Sequence, residues 1–150
     1  EIEYGYIITA FQGAYALGFL LAGYGLDRVG TRLGYTIAVA FWSLAAMGHA
    51  LARSVLGFGI WRALLGLGEA GNFPGALKTV AEWFPKKERA LATGIFNSGS
   101  NIGAVLAPLV VPLLALRLGW QGAFLLTGAL GFIWLIFWWR TYRHPDVHPA

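Results

Sequence analysis

Two charged side chains interrupt a stretch of the chain that is otherwise uncharged and largely apolar. Arg62 and Glu69 are the only charged residues between positions 54 and 77. Seven residues are about two turns of a helix, so both side chains share one face, roughly 10 Å apart along its axis. An arginine can clamp a carboxylate, and a carboxyl group can bind and release a proton. The pair therefore indicates a site for an anion or a proton, with a structural ion pair as the alternative.

Polar side chains in two other apolar stretches suit the same chemistry. Gln12 and Tyr15 are three residues apart, and Asn97 and Asn101 are one helical turn apart, with Ser100 beside them. Amides and hydroxyls can bind the hydroxyl groups of a sugar, although each could instead join two helices by a hydrogen bond. Taken together with the arginine and the carboxylate, these five residues are candidates for binding a polar, anionic small molecule.

The elements that carry these residues are long apolar stretches. Each is close to or above the roughly 20 residues that cross the hydrocarbon core of a bilayer. Charged residues make up 12% of the chain, about half of what a soluble domain contains. We therefore expect an all-α membrane protein with five transmembrane helices and with kinks at Pro74, Pro108 and Pro112. The predicted spans are 4–26, 33–52, 54–78, 90–116 and 118–139.

Several functional classes are excluded or disfavoured. The chain has no cysteine, which removes disulfides, thiolate catalysis and cysteine-based metal sites. No Ser/His, paired-Asp or H-E-x-x-H arrangement indicates an enzyme, and we expect no metal and no cofactor. Gly66 to Gly71 fits the pattern G-x-G-x-x-G, but it lies inside a span, so close packing of helices explains it better than a dinucleotide. Gly99 and Gly103 are likewise interpreted as a packing surface.

The distribution of basic residues predicts the topology. The junctions after the first, third and fifth spans hold seven Lys or Arg residues, whereas the opposite junctions hold only Arg53 and Arg117. The positive-inside rule then places the start of the chain outside and its end in the cytoplasm, which accounts for the net charge of +4 without nucleic acid. Lys78, near the cytoplasmic end, is interpreted as a snorkelling or loop-side residue. His49 is interpreted as an interfacial histidine.

The first charged junction carries a recognisable pattern. The segment from Gly23 to Arg32 resembles the signature between the second and third helices of major facilitator superfamily transporters, with Thr31 replacing one basic residue. The segments Trp83 to Ala90, Phe96 to Ser100 and Arg62 to Gly75 resemble the anion:cation symporter family, and most of all its bacterial hexuronate carriers.

The resemblance implies a place for this chain in a larger carrier. It would form a partial N-terminal transmembrane domain over residues 1–150, comprising helices two to six, without the first helix and the C-terminal half. The family implies proton-coupled uptake of an organic anion, such as a hexuronate, by alternating access in the inner membrane. Glu69 would be the coupling carboxylate with Arg62 as its control, and Tyr15 and Ser100 would contact substrate. The residues of the implied gating loop are Gly23, Asp27, Arg28, Gly30 and Arg32.

The implied partners are a small organic anion, a proton, the lipid bilayer and the missing C-terminal half. Two alternatives remain open. One is an anion exchanger of the same fold. The other is a non-transporting membrane scaffold or a truncated fragment.

Overall fold

Helices account for nearly all of the chain in the computed structural model, which describes residues 2–143 and 146. The predicted all-α fold is confirmed, since the described residues contain helices and no strand. A 3-10 turn, His49–Leu51, extends the second helix. The helices are α1 (Ile2–Val29), α2 (Thr31–Gly48), α3 (Val55–Glu69), α4 (Asn72–Trp83) and α5 (Arg89–Thr141).

The five helices do not correspond one to one with the five predicted spans. By length and composition alone, three helical segments of the described chain can cross a membrane, namely Ile2–Val29, Thr31–Leu51 and Arg89–Thr141. The 53-residue α5 includes the last two predicted spans. At about 1.5 Å per residue it would be about 80 Å long, more than twice the thickness of a bilayer core. The predicted third span is divided between α3 and α4. Each of these two helices is too short to cross a membrane by itself.

The backbone of α5 turns at Gly119, where φ is 74° and ψ is 166°. This region of conformational space is open almost only to glycine, because a Cβ would clash with the backbone. Gly119 follows Arg117, which the sequence placed between the fourth and fifth spans. α5 is therefore two helical parts, residues 89–118 and 120–141, which correspond to the last two predicted spans.

The break between α3 and α4 has a different cause. Pro74 has no N–H to donate, and its ring clashes with the carbonyl of residue 70 in a regular helix. The Gly71 N–H instead bonds to the Gly68 carbonyl at 3.2 Å, three residues back. The kink predicted at Pro74 is confirmed, and it directly follows Glu69. At Pro108 and Pro112, α5 stays helical.

Glycines allow the helices to approach closely. α1 packs most extensively on α3, and α2 packs on α5 and α3. A Cβ on Gly66 would lie 2.5 Å from the Phe11 carbonyl oxygen, and one on Gly68 would lie 2.8 Å from the Trp42 backbone nitrogen. The interpretation of this glycine-rich segment as a packing surface is confirmed. Gly99 and Gly103 have no such neighbour within the described residues, so the surface predicted there is uncovered in this chain.

His49 is not the interfacial side chain that the sequence analysis predicted. Its side chain is buried, with 1% of the residue exposed, at the end of the bundle opposite the Asp27 loop. The ring stacks on Phe124 at a centroid distance of 4.7 Å and lies 6.1 Å from Phe58. Its Nδ1 is 2.8 Å from the Ala45 carbonyl oxygen. Aromatic side chains from α3 and α5 cover the imidazole, which sequence periodicity along α2 could not reveal.

Candidate functional site

A cavity of about 250 Å³ between α1 and α3 brings together three of the candidate residues. Gln12 from α1 and Arg62 and Glu69 from α3 line it, together with Ile8 and Phe11. The two charged residues are half-buried, because α1 covers one side of α3. Close packing at Gly66, midway between the two charges, holds α1 against this face. The cavity therefore has one cation, one carboxyl group and one amide on a largely apolar wall.

Arg62 and Glu69 do not form an ion pair. Within the described residues, the single ion pair with side chains closer than 4.0 Å joins Lys78 to Asp27. The Arg62 guanidinium instead lies 5.8 Å from the centre of the Phe11 ring, in the range of a cation–π contact. The described part of the chain thus gives no support to the structural ion pair. Both charged groups remain available to a ligand that enters the cavity.

The other candidates lie at different distances from this cavity. Tyr15 continues the wall, since its ring stacks on Phe11 at 5.9 Å. Asn97, Ser100 and Asn101 are exposed on the first part of α5 and do not line the cavity. The structure therefore groups Gln12, Tyr15, Arg62 and Glu69, and leaves the three α5 residues facing open space. A role for each in binding substrate stays a prediction.

The predicted gating loop is a tight connection between α1 and α2. Gly30 alone separates the two helices, with φ of 83° and ψ of 155°. The Lys78 ammonium group donates to the Asp27 carboxylate at 2.6 Å and to the Leu26 carbonyl at 3.1 Å. The Leu26 carbonyl also accepts from the Gly30 N–H at 3.1 Å, so the cation adds a second hydrogen bond there and complements the dipole at the C-terminus of α1. Lys78 is thus a loop-side residue that fixes Asp27 to α4.

A half-buried carboxylate, which the sequence analysis missed, joins α2 and α4 to Tyr142, just after α5, at the same end. Glu82 of α4 accepts hydrogen bonds from the Thr31 hydroxyl at 2.6 Å and from the Tyr142 hydroxyl at 2.5 Å. Burial, and secondarily the hydrogen bond to Glu82, raise the pKa of Tyr142 to about 12, so this hydroxyl stays protonated as a donor at neutral pH. The sequence did contain one signal of this site. Glu82 is an acidic residue in an aromatic segment that directly precedes a basic loop.

Aromatic side chains complete this end of the bundle. Trp138 and Tyr142 of α5 pack into a buried cluster with Leu26 and Tyr35. The Trp138 indole donates to the Arg32 carbonyl at 3.2 Å, which ties the end of α5 to the start of α2. Both rings are buried in protein. The contacts place the three basic junctions at one end of the bundle; which side of the membrane that end faces stays a prediction.

Comparisons with known proteins agree with this architecture. Residues 1–150 match the sequence profile of the Major Facilitator Superfamily. Over 143 residues, or 95% of this chain, the sequence is 44% identical to a galacturonate transporter of Dickeya chrysanthemi and 43% identical to a hexuronate transporter of Escherichia coli (strain K12). The chain spans 41% of the length of the first relative and 33% of the second.

The fold is also similar to that of a solved transporter. The chain aligns with a TM-score of 0.71 to the crystal structure of a bacterial homolog of the human lysosomal transporter Spinster, in an inward-facing and unoccupied conformation. The alignment covers 91% of this chain and 34% of that one at 24% identity, which supports the fold alone. Together, the profile match over the whole chain, the helical bundle and the pattern at the Asp27 loop show that this chain belongs to the Major Facilitator Superfamily.

Proposed function

We propose that this chain forms part of a secondary active transporter that takes up an organic anion, such as a hexuronate, together with a proton. The observation that carries the proposal is the α1–α3 cavity, where Arg62 and Glu69 face the same space without forming an ion pair. Charges inside a membrane are costly, and they usually mark the path of a substrate or a proton. The two relatives, a galacturonate transporter and a hexuronate transporter, favour an anion with a carboxylate and hydroxyl groups.

Arg62 is the proposed contact for the carboxylate of the substrate. A guanidinium group presents two parallel donors to a carboxylate, and this bidentate geometry gives both affinity and orientation. The neighbouring amide of Gln12 and the hydroxyl of Tyr15 can bind sugar hydroxyls. Asn97, Ser100 and Asn101 would act from α5, whose exposed face would meet the cavity across from α1 and α3.

Glu69 is the proposed proton carrier. An anion at Arg62 would lie roughly 10 Å from Glu69, given the rise of the helix between them. Two unit charges at that distance repel by about 1.7 kcal/mol at an effective dielectric constant of about 20. Protonation of Glu69 would remove that repulsion and so strengthen anion binding by about 18-fold. By linkage, the bound anion would favour the protonated carboxyl group to the same extent. The two ligands would therefore bind together.

The Asp27 loop is proposed to control which side of the cavity is open. The Lys78–Asp27 pair and the Glu82 hydrogen bonds fix the loop to α4 and α5, so α1, α2, α4 and the end of α5 would move as one body. The opposing surface would come from the C-terminal half of the carrier. We place this end of the bundle in the cytoplasm and the protein in the inner membrane, because the basic junctions meet there.

Uptake by the full native protein, with whatever sequence flanks residues 1–150, tests the proposal. Proteoliposomes with an alkaline interior should concentrate radiolabelled galacturonate, and a protonophore should abolish the accumulation. Protein-free liposomes and labelled glucose, which has no carboxylate, are the matched controls. Uptake that ignores the protonophore but accelerates when another organic anion is loaded inside would favour an exchanger. The absence of any saturable flux would favour a scaffold.

A further inference from the structure

A second cavity, of about 700 Å³, lies between the start of α2 and the end of α5. Three of its lining residues are the arginines Arg32, Arg140 and Arg143, and no carboxylate lines it within the described residues. It shares no lining residue with the α1–α3 cavity. The proposed substrate and proton site is therefore separate from this cavity, although Gly30 and Arg32 also belong to the implied gating loop.

Arg32 is held in place with part of its donor capacity unused. One terminal N–H group donates to the Trp139 carbonyl at 2.9 Å, and the guanidinium carbon lies 4.2 Å from the centre of the Trp139 ring. The Nε atom is buried and has no hydrogen-bond partner. A buried donor on a charged group is costly to leave unsatisfied. The guanidinium is thus held against Trp139 at the wall of the cavity, with a donor that no described residue satisfies.

The other two arginines add charge without an internal partner. Arg140 and Arg143 are exposed, and neither forms an ion pair in the part of the chain that the structure describes. The N-terminus of α2 begins at the same cavity, and its N-cap, Gly30, supplies no side-chain hydrogen bond. The first N–H groups of a helix carry partial positive charge. Three arginines and the N-terminus of α2 therefore line one space.

We propose that this cavity binds the phosphate group of an anionic phospholipid. Arginine forks match the geometry of phosphate oxygens, and basic pockets between membrane helices bind anionic headgroups. The rim favours a lipid over a soluble anion, because Leu33 and Trp139 are about half exposed, at 47% and 46%, beside the arginines. Aromatic rings of this kind lie at headgroup level, where an acyl chain would continue along the apolar helix surface.

Binding of defined lipids to the full native chain in detergent tests the proposal by native mass spectrometry. Phosphatidylglycerol should be retained in preference to zwitterionic phosphatidylcholine. The double variant Arg140→Gln/Arg143→Gln should weaken phosphatidylglycerol binding by about 30-fold, and Arg143→Gln alone by about fivefold. The matched control is Arg53→Gln/Arg117→Gln, which removes two exposed arginines at the opposite junctions and should leave binding unchanged.

Each outcome separates the alternatives. Equal retention of the two lipids, or equal loss in the double variant and in its control, would overturn the proposal. If the double variant fails to fold by circular dichroism, Arg143→Gln alone decides the same question. A parallel binding measurement uses inorganic phosphate, because a soluble anion could bind the arginines through the same phosphate oxygens. Phosphate binding that depends on the same arginines, without selective retention of phosphatidylglycerol, would support the anion site and overturn the lipid as its ligand.

Discussion

Replacing Gly66 by alanine should separate the two helices that form the α1–α3 cavity. The new Cβ would lie 2.5 Å from the Phe11 carbonyl oxygen and 3.2 Å from the Tyr15 backbone nitrogen. Even a close carbon–oxygen contact needs about 3.3 Å, so α1 must move away from α3 by about 0.8 Å. Backbone atoms cannot rotate aside as a side chain can. We expect a loss of about 2 kcal/mol in the free energy of unfolding, or about 30-fold in the folding equilibrium.

Gly59 provides the matched control on the same helix. A Cβ there has no neighbour within 4 Å, so Gly59→Ala should gain up to about 1 kcal/mol from helix propensity. Reversible unfolding of the full native chain in mixed detergent micelles, followed by circular dichroism, would give both values. Galacturonate uptake should fall in Gly66→Ala alone, because Phe11 and Gln12 would shift relative to Arg62. Equal stability of the two variants would refute the packing argument.

Three further predictions concern the end cluster, the break in α5 and the topology. Tyr142→Phe removes a buried hydrogen bond to a carboxylate and should cost about 1.5 kcal/mol of stability at neutral pH in the same unfolding assay. Because burial raises the pKa of this hydroxyl from 10.0 to about 12, that contribution is complete below pH 10 and is lost as the pH rises through about 12. Gly119→Ala should destabilise the protein by about 1–3 kcal/mol, because φ is 74° at this position. Gly103→Ala, in a regular helix, should not destabilise it, and equal unfolding midpoints for the two variants would contradict the prediction. A single cysteine at the exposed Lys87 should not react with an impermeant thiol reagent in intact cells, whereas one at the exposed Arg53 should react. The reverse pattern would show that the topology is inverted.

The sequence predicted those features of the fold that follow from composition along the chain. Uncharged stretches of about 20 residues identify membrane helices because a bilayer excludes charge. The kink at Pro74 follows from the chemistry of one residue. The break at Gly119 was not specified, because glycine is frequent throughout this chain and only the backbone angles distinguish this position.

The candidate site was predictable where its residues lie on one helix or on adjacent faces. The spacing of Arg62 and Glu69 predicted that they share a helix face, whereas the position of Gln12 beside them depends on the packing of α1 on α3. The contacts of Lys78 and Glu82 depend on which helices pack against α4, and side-chain periodicity contains no such information. For the same reason, the sequence could not show that Asn97, Ser100 and Asn101 face away from the described cavity.

Replacement of Glu69 by glutamine tests most directly the claim that a carboxyl group in the α1–α3 cavity couples the anion to a proton. Glutamine preserves the volume and most hydrogen bonding but cannot exchange a proton. The full native protein with Glu69→Gln should lose the accumulation of galacturonate against its gradient and keep counterflow of labelled galacturonate. Glu88→Gln, at an exposed loop carboxylate, should retain both activities. Accumulation by Glu69→Gln with the pH dependence of the unmodified protein would contradict this account.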